Sequence, residues 1–265
     1  MARALADQAT GLRQLFTAEA VRVVALVGSQ SQSVSAALAV TLAAQDKKVL
    51  LVDEALFATA THPLLEAPLG WDAGDVLRGK KSLDEAIVTV AGVALMPADT
   101  ERLGRSLDAA RVHLLDDFHA LVVGFDYVVI HAASDLQHHG LGFALAAPEV
   151  VVLCDESDYG ITEAYRHIKT LHRMRDNRHF MMMFRGGNEA VAKSLFHKLT
   201  AVCDRYLELK PDFACVLPTN RLAAAHTLER FAVDMMHWPL QNDDNRFDVF
   251  MCRLLSATGS KLTAA

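Results

Sequence analysis

The sequence predicts an α/β fold, a mainly parallel central sheet of about seven or eight strands with helices on both faces. Three observations predict it. Short, bounded apolar runs recur along the chain, at residues 21–27, 48–53, 93–97, 127–131, 149–155, 179–184 and 213–218. Amphipathic stretches of helical length separate them. The hydrophobic content, 52% with only 7% aromatic, is carried by Ala, Val and Leu, which suits helices packed on a sheet buried on both faces.

The elements follow in order. The first run leads through a polar turn into Val34, Leu38, Val40 and Leu42, the start of the first helix. Ser82-Leu83-Asp84-Glu85 has the pattern of a capping box and predicts another helix start. Longer helices are predicted over 101–121, 161–175, 189–206 and 222–236. Phe247, Phe250, Met251 and Leu254 fall at i, i+3, i+4 and i+7, one face of a last helix. Met181-Met182-Met183 reads as buried strand. No repeat or Pro-rich linker divides the chain, so the expected organisation is an N-terminal helix over 1–20, one α/β domain over 21–240, and a C-terminal helix with a tail over 241–265.

Composition excludes several classes of function. A net charge of −6 argues against a dedicated nucleic-acid binder. Nowhere do roughly 18 apolar residues follow one another, and the first 20 residues lack the apolar core of a signal peptide, so a cytoplasmic protein is expected. Cys154, Cys203, Cys215 and Cys252 are widely spaced and read as reduced thiols, with neither disulfides nor a zinc site. The twelve histidines form no His-x3-His pair beside a carboxylate or cysteine, so they read as surface residues and no metal is expected. Ser134 and Ser157 lack a local nucleophile signature.

Ligands of such a sheet bind beyond the carboxyl ends of the strands, at the first strand–loop–helix turn. Here that turn is Gly28-Ser29-Gln30-Ser31-Gln32-Ser33. The plain reading is that Ser31 and Ser33 cap the helix. The sharper one is a rewired phosphate site.

The succession VRVVALVGSQSQSVSAALAVTLAAQDKKVLLVDEAL, DVLRGKKSLDEAIV and GVALMPA resembles the MinD/ParA class of deviant P-loop ATPases. Within it, Asp7-Gln8-Ala9-Thr10-Gly11-Leu12-Arg13 is similar to the DQAxxLR motif of flagellar-number regulators called FlhG or FleN. The segment APEVVVLCDESDYGITEAYRHIKTL follows that family's order, and the resemblance covers nearly the whole chain.

The turn departs from the family. A working loop reads KGGVGKT, in which glycines let backbone N–H groups surround phosphate and lysines neutralise it. Between Val27 and Val34 this chain has one glycine and no lysine. The family's second strand ends in Asp-x-Asp; here Asp53-Glu54-Ala55 keeps the first carboxylate, with Glu54 one place off. His131 stands where the Walker B strand should end in an acid, and imidazole is a poor ligand for Mg²⁺. Phe184 replaces the Asn that reads adenine, offering a stacking face but no amide. The expectation is a pseudo-ATPase that needs no cofactor. ATP and Mg²⁺ enter only in an alternative, slow hydrolysis with Asp53 as the residual carboxylate.

What the resemblance implies beyond this is protein binding. In the family the N-terminal motif engages the signal-recognition-type GTPase FlhF and stimulates it. By that likeness Gln8 approaches the partner's nucleotide, Asp7 and Ala9 belong to the same helix, and Leu12 and Arg13 anchor it. Flagellar switch or transcription proteins are the other expected partners, with polar placement through a partner. Without ATP the chain is expected as a monomer or an ATP-independent dimer. A scaffold for another polar or secretion system is the further alternative. The last helix binds membranes in some relatives, but Asp243, Asp244 and Asp248 outnumber Arg246 and Arg253 here, so packing on the domain is expected.

Overall fold

Residues 22–28 alternate between two buried layers, and that alternation sets the architecture. In the computed structural model, which describes residues 21–55, 60–68, 70–98, 108–132, 142–174, 179–237 and 247–259, strand β1 (Arg22–Gly28) lies at the sheet's centre. Val23, Ala25 and Val27 enter one core layer; Val24 and Leu26 enter the other. A strand covered on both faces needs a continuous apolar run, as observed.

The chain continues through α1 (Ser31–Ala43), β2 (Val49–Asp53), the short α2 (Ala73–Leu77), β3 (Val88–Val90), β4 (Val93–Pro97) and α3 (Asp108–Val122). Then come β5 (Tyr127–His131), α4 (Phe143–Ala146), β6 (Glu149–Asp155) and α5 (Asp158–Met174). The last elements are β7 (His179–Gly186), α6 (Glu189–Leu207), β8 (Asp212–Pro218), α7 (Arg221–His237) and α8 (Phe247–Gly259). The eight strands form one sheet in the order β3-β4-β2-β5-β1-β6-β7-β8, parallel throughout except for β3. Helices α1 and α7 cover one face, while α3 to α6 and α8 cover the other.

Several expectations change. The sequence reading missed β3, because three residues, Thr89 exposed between half-buried Val88 and Val90, are too short a run to give a periodicity; it pairs antiparallel with β4 through the Ala91-Gly92 turn. The capping box at Ser82 forms, with Ser82 N–H donating to Glu85 (3.0 Å) and Glu85 N–H donating to Ser82 Oγ (3.4 Å). It opens only a single 3-10 turn, Asp84–Ala86, because the chain goes directly into β3. Histidines are not all superficial: His131 and His167 are buried. Cys154 and Cys203 are buried and Cys252 is exposed. Burial pushes the Cys154 thiol up to about 12 and Cys203 to about 11, so both behave as core residues.

The stripe on α8 packs inward. Phe247, Phe250, Met251 and Leu254 are all buried, and Phe250 meets Phe118 of α3 at 6.4 Å between ring centroids. That apolar face therefore serves the core and is not presented to a bilayer. The triple methionine also divides as a strand should, Met182 to one layer, Met181 and Met183 to the other. At the amino ends of the strands, Arg22 holds Glu149 with two 2.7 Å hydrogen bonds, and its third nitrogen donates to the Met235 carbonyl of α7. Among the described residues no helix is long and apolar enough to cross a membrane.

Candidate functional site

Parallel register brings the carboxyl ends of β1, β2, β5, β6 and β7 into one row. β1 ends at Gly28, whose φ of +100° and close approach to the Leu153 carbonyl leave no room for a side chain. Ser29 N–H donates to that carbonyl at 3.3 Å, then Gln30 turns through the left-handed region (φ 53°, ψ 31°) and α1 begins at Ser31.

The serines do not cap this helix. Gln30 is the N-cap and makes no side-chain cap hydrogen bond; its carbonyl accepts from the N–H groups of Ser33 and Val34 and from Ser33 Oγ. The N–H groups of Ser31 and Gln32 have no acceptor among the described residues. A helix start leaves such donors available for a negative group.

Ser31 instead belongs to a buried relay. Asp53 Oδ1 lies 2.9 Å from His131 Nδ1, and His131 Nε2 lies 3.1 Å from Ser31 Oγ. The pairing follows from register, since Asp53 is directly opposite His131 across β2 and β5. The other Asp53 oxygen accepts from Thr61 N–H at 2.5 Å and Thr61 Oγ1 at 2.7 Å. Ala55 N–H reaches Oδ1 at 3.1 Å. With Asp53 ionised, Nδ1 donates its proton to the carboxylate, and in the tautomer that leaves Nε2 without a proton this nitrogen accepts from the Ser31 hydroxyl.

Burial alone would raise the Asp53 carboxyl; the His131 hydrogen bond and charge, with the Thr61 donors, overcome it and hold the group below its ordinary value. A depressed folded value means the unfolded chain binds the proton first. The resulting stability is complete above the unfolded value of about 4 and is lost as pH falls through the folded one. Asp53→Asn is therefore expected to be destabilised at neutral pH, with its deficit shrinking below about pH 4. Urea midpoints measured from pH 7 to pH 2 check this; a constant deficit would contradict the assignment.

Beside the relay, Ser29 Oγ donates to Asp155 Oδ2 at 2.6 Å, and Arg185 Nη1 reaches Asp155 Oδ1 at 3.3 Å and Ser29 Oγ at 3.4 Å. Over both groups lies a cleft of about 420 Å³ between the turn and α5, with Ser29, Ser31, His131 and Asp155 on one wall and Tyr159 and Arg166 on the other. His167 also lines it. Burial and the Arg166 charge lower its proton affinity against the opposing pull of Glu163.

Other residues expected here are elsewhere. Glu54 is buried, accepts from the Ala144 N–H of α4 at 3.2 Å, and gives its own N–H to the His131 carbonyl. Phe184 is fully buried and stacks on Phe213 at 5.8 Å, so it offers the cleft no stacking face. Arg185, one residue on, reaches the site instead. Asp7, Gln8, Ala9, Leu12 and Arg13 lie outside the described residues.

The sequence reading missed Thr61, Asp155, Arg166 and Arg185. Asp155 and Arg185 were legible in principle, because each ends or follows an apolar run. Thr61 and Arg166 carry no local signal. The donor set suits Mg-ATP poorly: both Asp53 oxygens are engaged by His131 and Thr61, and the lining holds no lysine. Among the described residues no group of three or more His, Cys, Asp or Glu could hold a metal.

No protein-family profile matches the chain. Over 279 aligned residues it is 27% identical to the antiactivator FleN of Pseudomonas aeruginosa, covering 94% of this chain and 99% of that protein. A chain of the MinC:MinD cell division complex of Aquifex aeolicus superposes with a TM-score of 0.61 at 20% identity, covering 84% of this chain and 99% of its own. Cobyrinic acid a,c-diamide synthase of Mycobacterium smegmatis, solved with an ATP analogue and magnesium, gives 0.60 at 21%, covering 82% and 94%. A ParA family ATPase of Chlorobium tepidum gives 0.59 at 16%, covering 89% and 98%. The chain is thus similar to FleN along nearly its whole length and has the fold seen in the MinD and ParA structures.

Proposed function

We propose that this chain is a regulator of flagellar number or placement that acts by binding proteins and does not hydrolyse ATP. The observation that supports it best is the engagement of Asp53. The carboxylate that by resemblance would help place metal and attacking water accepts hydrogen bonds from His131, Ala55 and Thr61, and the same resemblance aligns His131 with the Walker B acid. Phosphoryl transfer depends on positioning and charge neutralisation, and the loop supplies neither lysine nor a row of glycines. Calorimetry with Mg-ATP is expected to show no binding at micromolar concentration; a micromolar isotherm would overturn the pseudo-ATPase reading.

The partner reading rests on the N-terminal segment. Asp7, Gln8, Ala9, Leu12 and Arg13 match the motif that engages an FlhF-type GTPase, and FleN is itself named an antiactivator, a protein that acts on another protein. A pull-down with the GTPase is expected to lose its signal when residues 1–20 are removed. Undiminished binding by the truncated chain would count against that partner site.

A second reading is favoured by the cleft itself, which is open to a ligand at the first strand–loop–helix turn, and a protein of similar fold was solved with an ATP analogue and magnesium. On that reading the chain binds ATP and turns it over slowly, and the calorimetric experiment decides between the two.

A further inference from the structure

The altered loop has not been left chemically blank. Side chains from two strand ends and one helix start stand in a line, Asp53 to His131 to Ser31, at 2.9 Å and 3.1 Å, within the reach needed to pass a proton from a hydroxyl to an imidazole. We propose that Ser31, His131 and Asp53 form a serine-hydrolase triad that cleaves small carboxylic esters in the cleft above them.

Four features carry this beyond the distances. Ser31 opens a 13-residue helix directly after a strand and a left-handed residue, a sharp strand–turn–helix placement that projects a hydroxyl at the top of a parallel sheet. Both Ser31 and His131 line the cleft floor, at 5% and 2% exposure, so the hydroxyl and the ring lie side by side beneath it. The first-turn N–H groups of Ser31 and Gln32, without acceptors among the described residues, are donors for an oxyanion formed beside Ser31. Asp53 is fixed by Thr61 and holds the proton on His131 Nδ1, leaving Nε2 as the base. A merely structural relay needs neither an open cleft at its serine end nor spare N–H donors beside it. The cleft volume of about 420 Å³ accommodates a small carboxylic ester.

The chemistry balances with water as the only co-reactant. Ser31 Oγ bonds to the ester carbonyl carbon as its proton passes to His131 Nε2. The carbon–oxygen bond to the leaving group then breaks, its electron pair stays on the departing oxygen, and His131 returns the proton to that oxygen. Water adds to the acyl-serine while His131 takes a proton. The acyl–Oγ bond breaks, and Oγ recovers the proton. Ester and water become acid and alcohol, with Ser31 and His131 as catalytic residues and Asp53 as a positioning residue.

The experiment uses the full chain. Incubation with a fluorophosphonate, followed by peptide mass spectrometry, is expected to place a phosphonyl adduct on Ser31, and p-nitrophenyl acetate is expected to be hydrolysed with a burst. Ser31→Ala should abolish both, and the surface change Ser194→Ala should leave both intact. Asp53→Asn should lower kcat by about 10³–10⁴-fold with KM nearly unchanged, because the ring would lose its proton orientation rather than its substrate. Absence of the adduct from Ser31 in the folded wild-type chain overturns the proposal, as does equal ester turnover by wild type and Ser31→Ala. These readouts use neither ATP nor a protein partner, so their failure leaves the regulator reading standing, and failure of that reading leaves them untouched.

Discussion

Glu149→Ala lowers the stability of the folded chain by about 3–5 kcal/mol, the expected result of stripping one partner from a buried ion pair. Arg22 and Glu149 are almost wholly enclosed, at 6% and 1% exposure, and the guanidinium meets both carboxylate oxygens at 2.7 Å. Alanine would leave Arg22 with only the Met235 carbonyl among these partners while still excluded from water. The pair also ties β1 to β6 and to α7, so its loss is felt within the sheet and in the helix layer on one face. A urea midpoint series measures the change. A loss below about 1 kcal/mol, the scale of an exposed pair, would show that water reaches the site. Replacing both residues with apolar ones of similar size (Arg22→Met with Glu149→Leu) should recover much of the loss, since no charge then stays buried.

Gly28→Ala is expected to cost at least about 2 kcal/mol and to spoil the relay with it. Its φ of +100° is one that side chains rarely adopt, and the added carbon would collide with the Leu153 carbonyl of the neighbouring strand. Backbone cannot rotate aside as a side chain can, so β1 and β6 must part at their carboxyl ends. Ser29 and Ser31 would move with β1, and the contacts to Asp155 and His131 would lengthen. Gly79→Ala is the comparison: it shares a positive φ of +67° but has open space around it, so only the backbone term of about 1 kcal/mol applies. Equal losses at the two glycines would mean that conformation, not strand approach, decides.

Much of the fold was legible because burial on both faces writes itself as uninterrupted apolar runs. Residues 21–27 and 149–155 read as buried strands for that reason, and they lie side by side near the middle of the sheet. β3 was not legible, since an edge strand of three residues is held by pairing with β4 alone. A cleft does lie at the turn singled out in the sequence, but the contacts within it were legible only in part. Asp53, Ser31 and His131 were each singled out, yet as remnants, because sequence spacing cannot reveal that residues 22, 78 and 100 positions apart share one chain of hydrogen bonds; only the register of β2 on β5 does so for Asp53 and His131. Phe184 was misjudged by a single residue. Strand pleat sends it into the core, and the next side chain, Arg185, emerges where the sheet ends.

The central place of β1 has a consequence for synthesis. Its partners are β5, beginning at Tyr127, and β6, beginning at Glu149, so the first strand made waits more than a hundred residues for a neighbour. One face then stays incomplete until Phe250 and Leu254 arrive from α8. The core on that face is therefore expected to close late in synthesis and through non-local contacts. Stalling translation at successive lengths should therefore show protease resistance appearing abruptly near full length, with no stable half-domain before it.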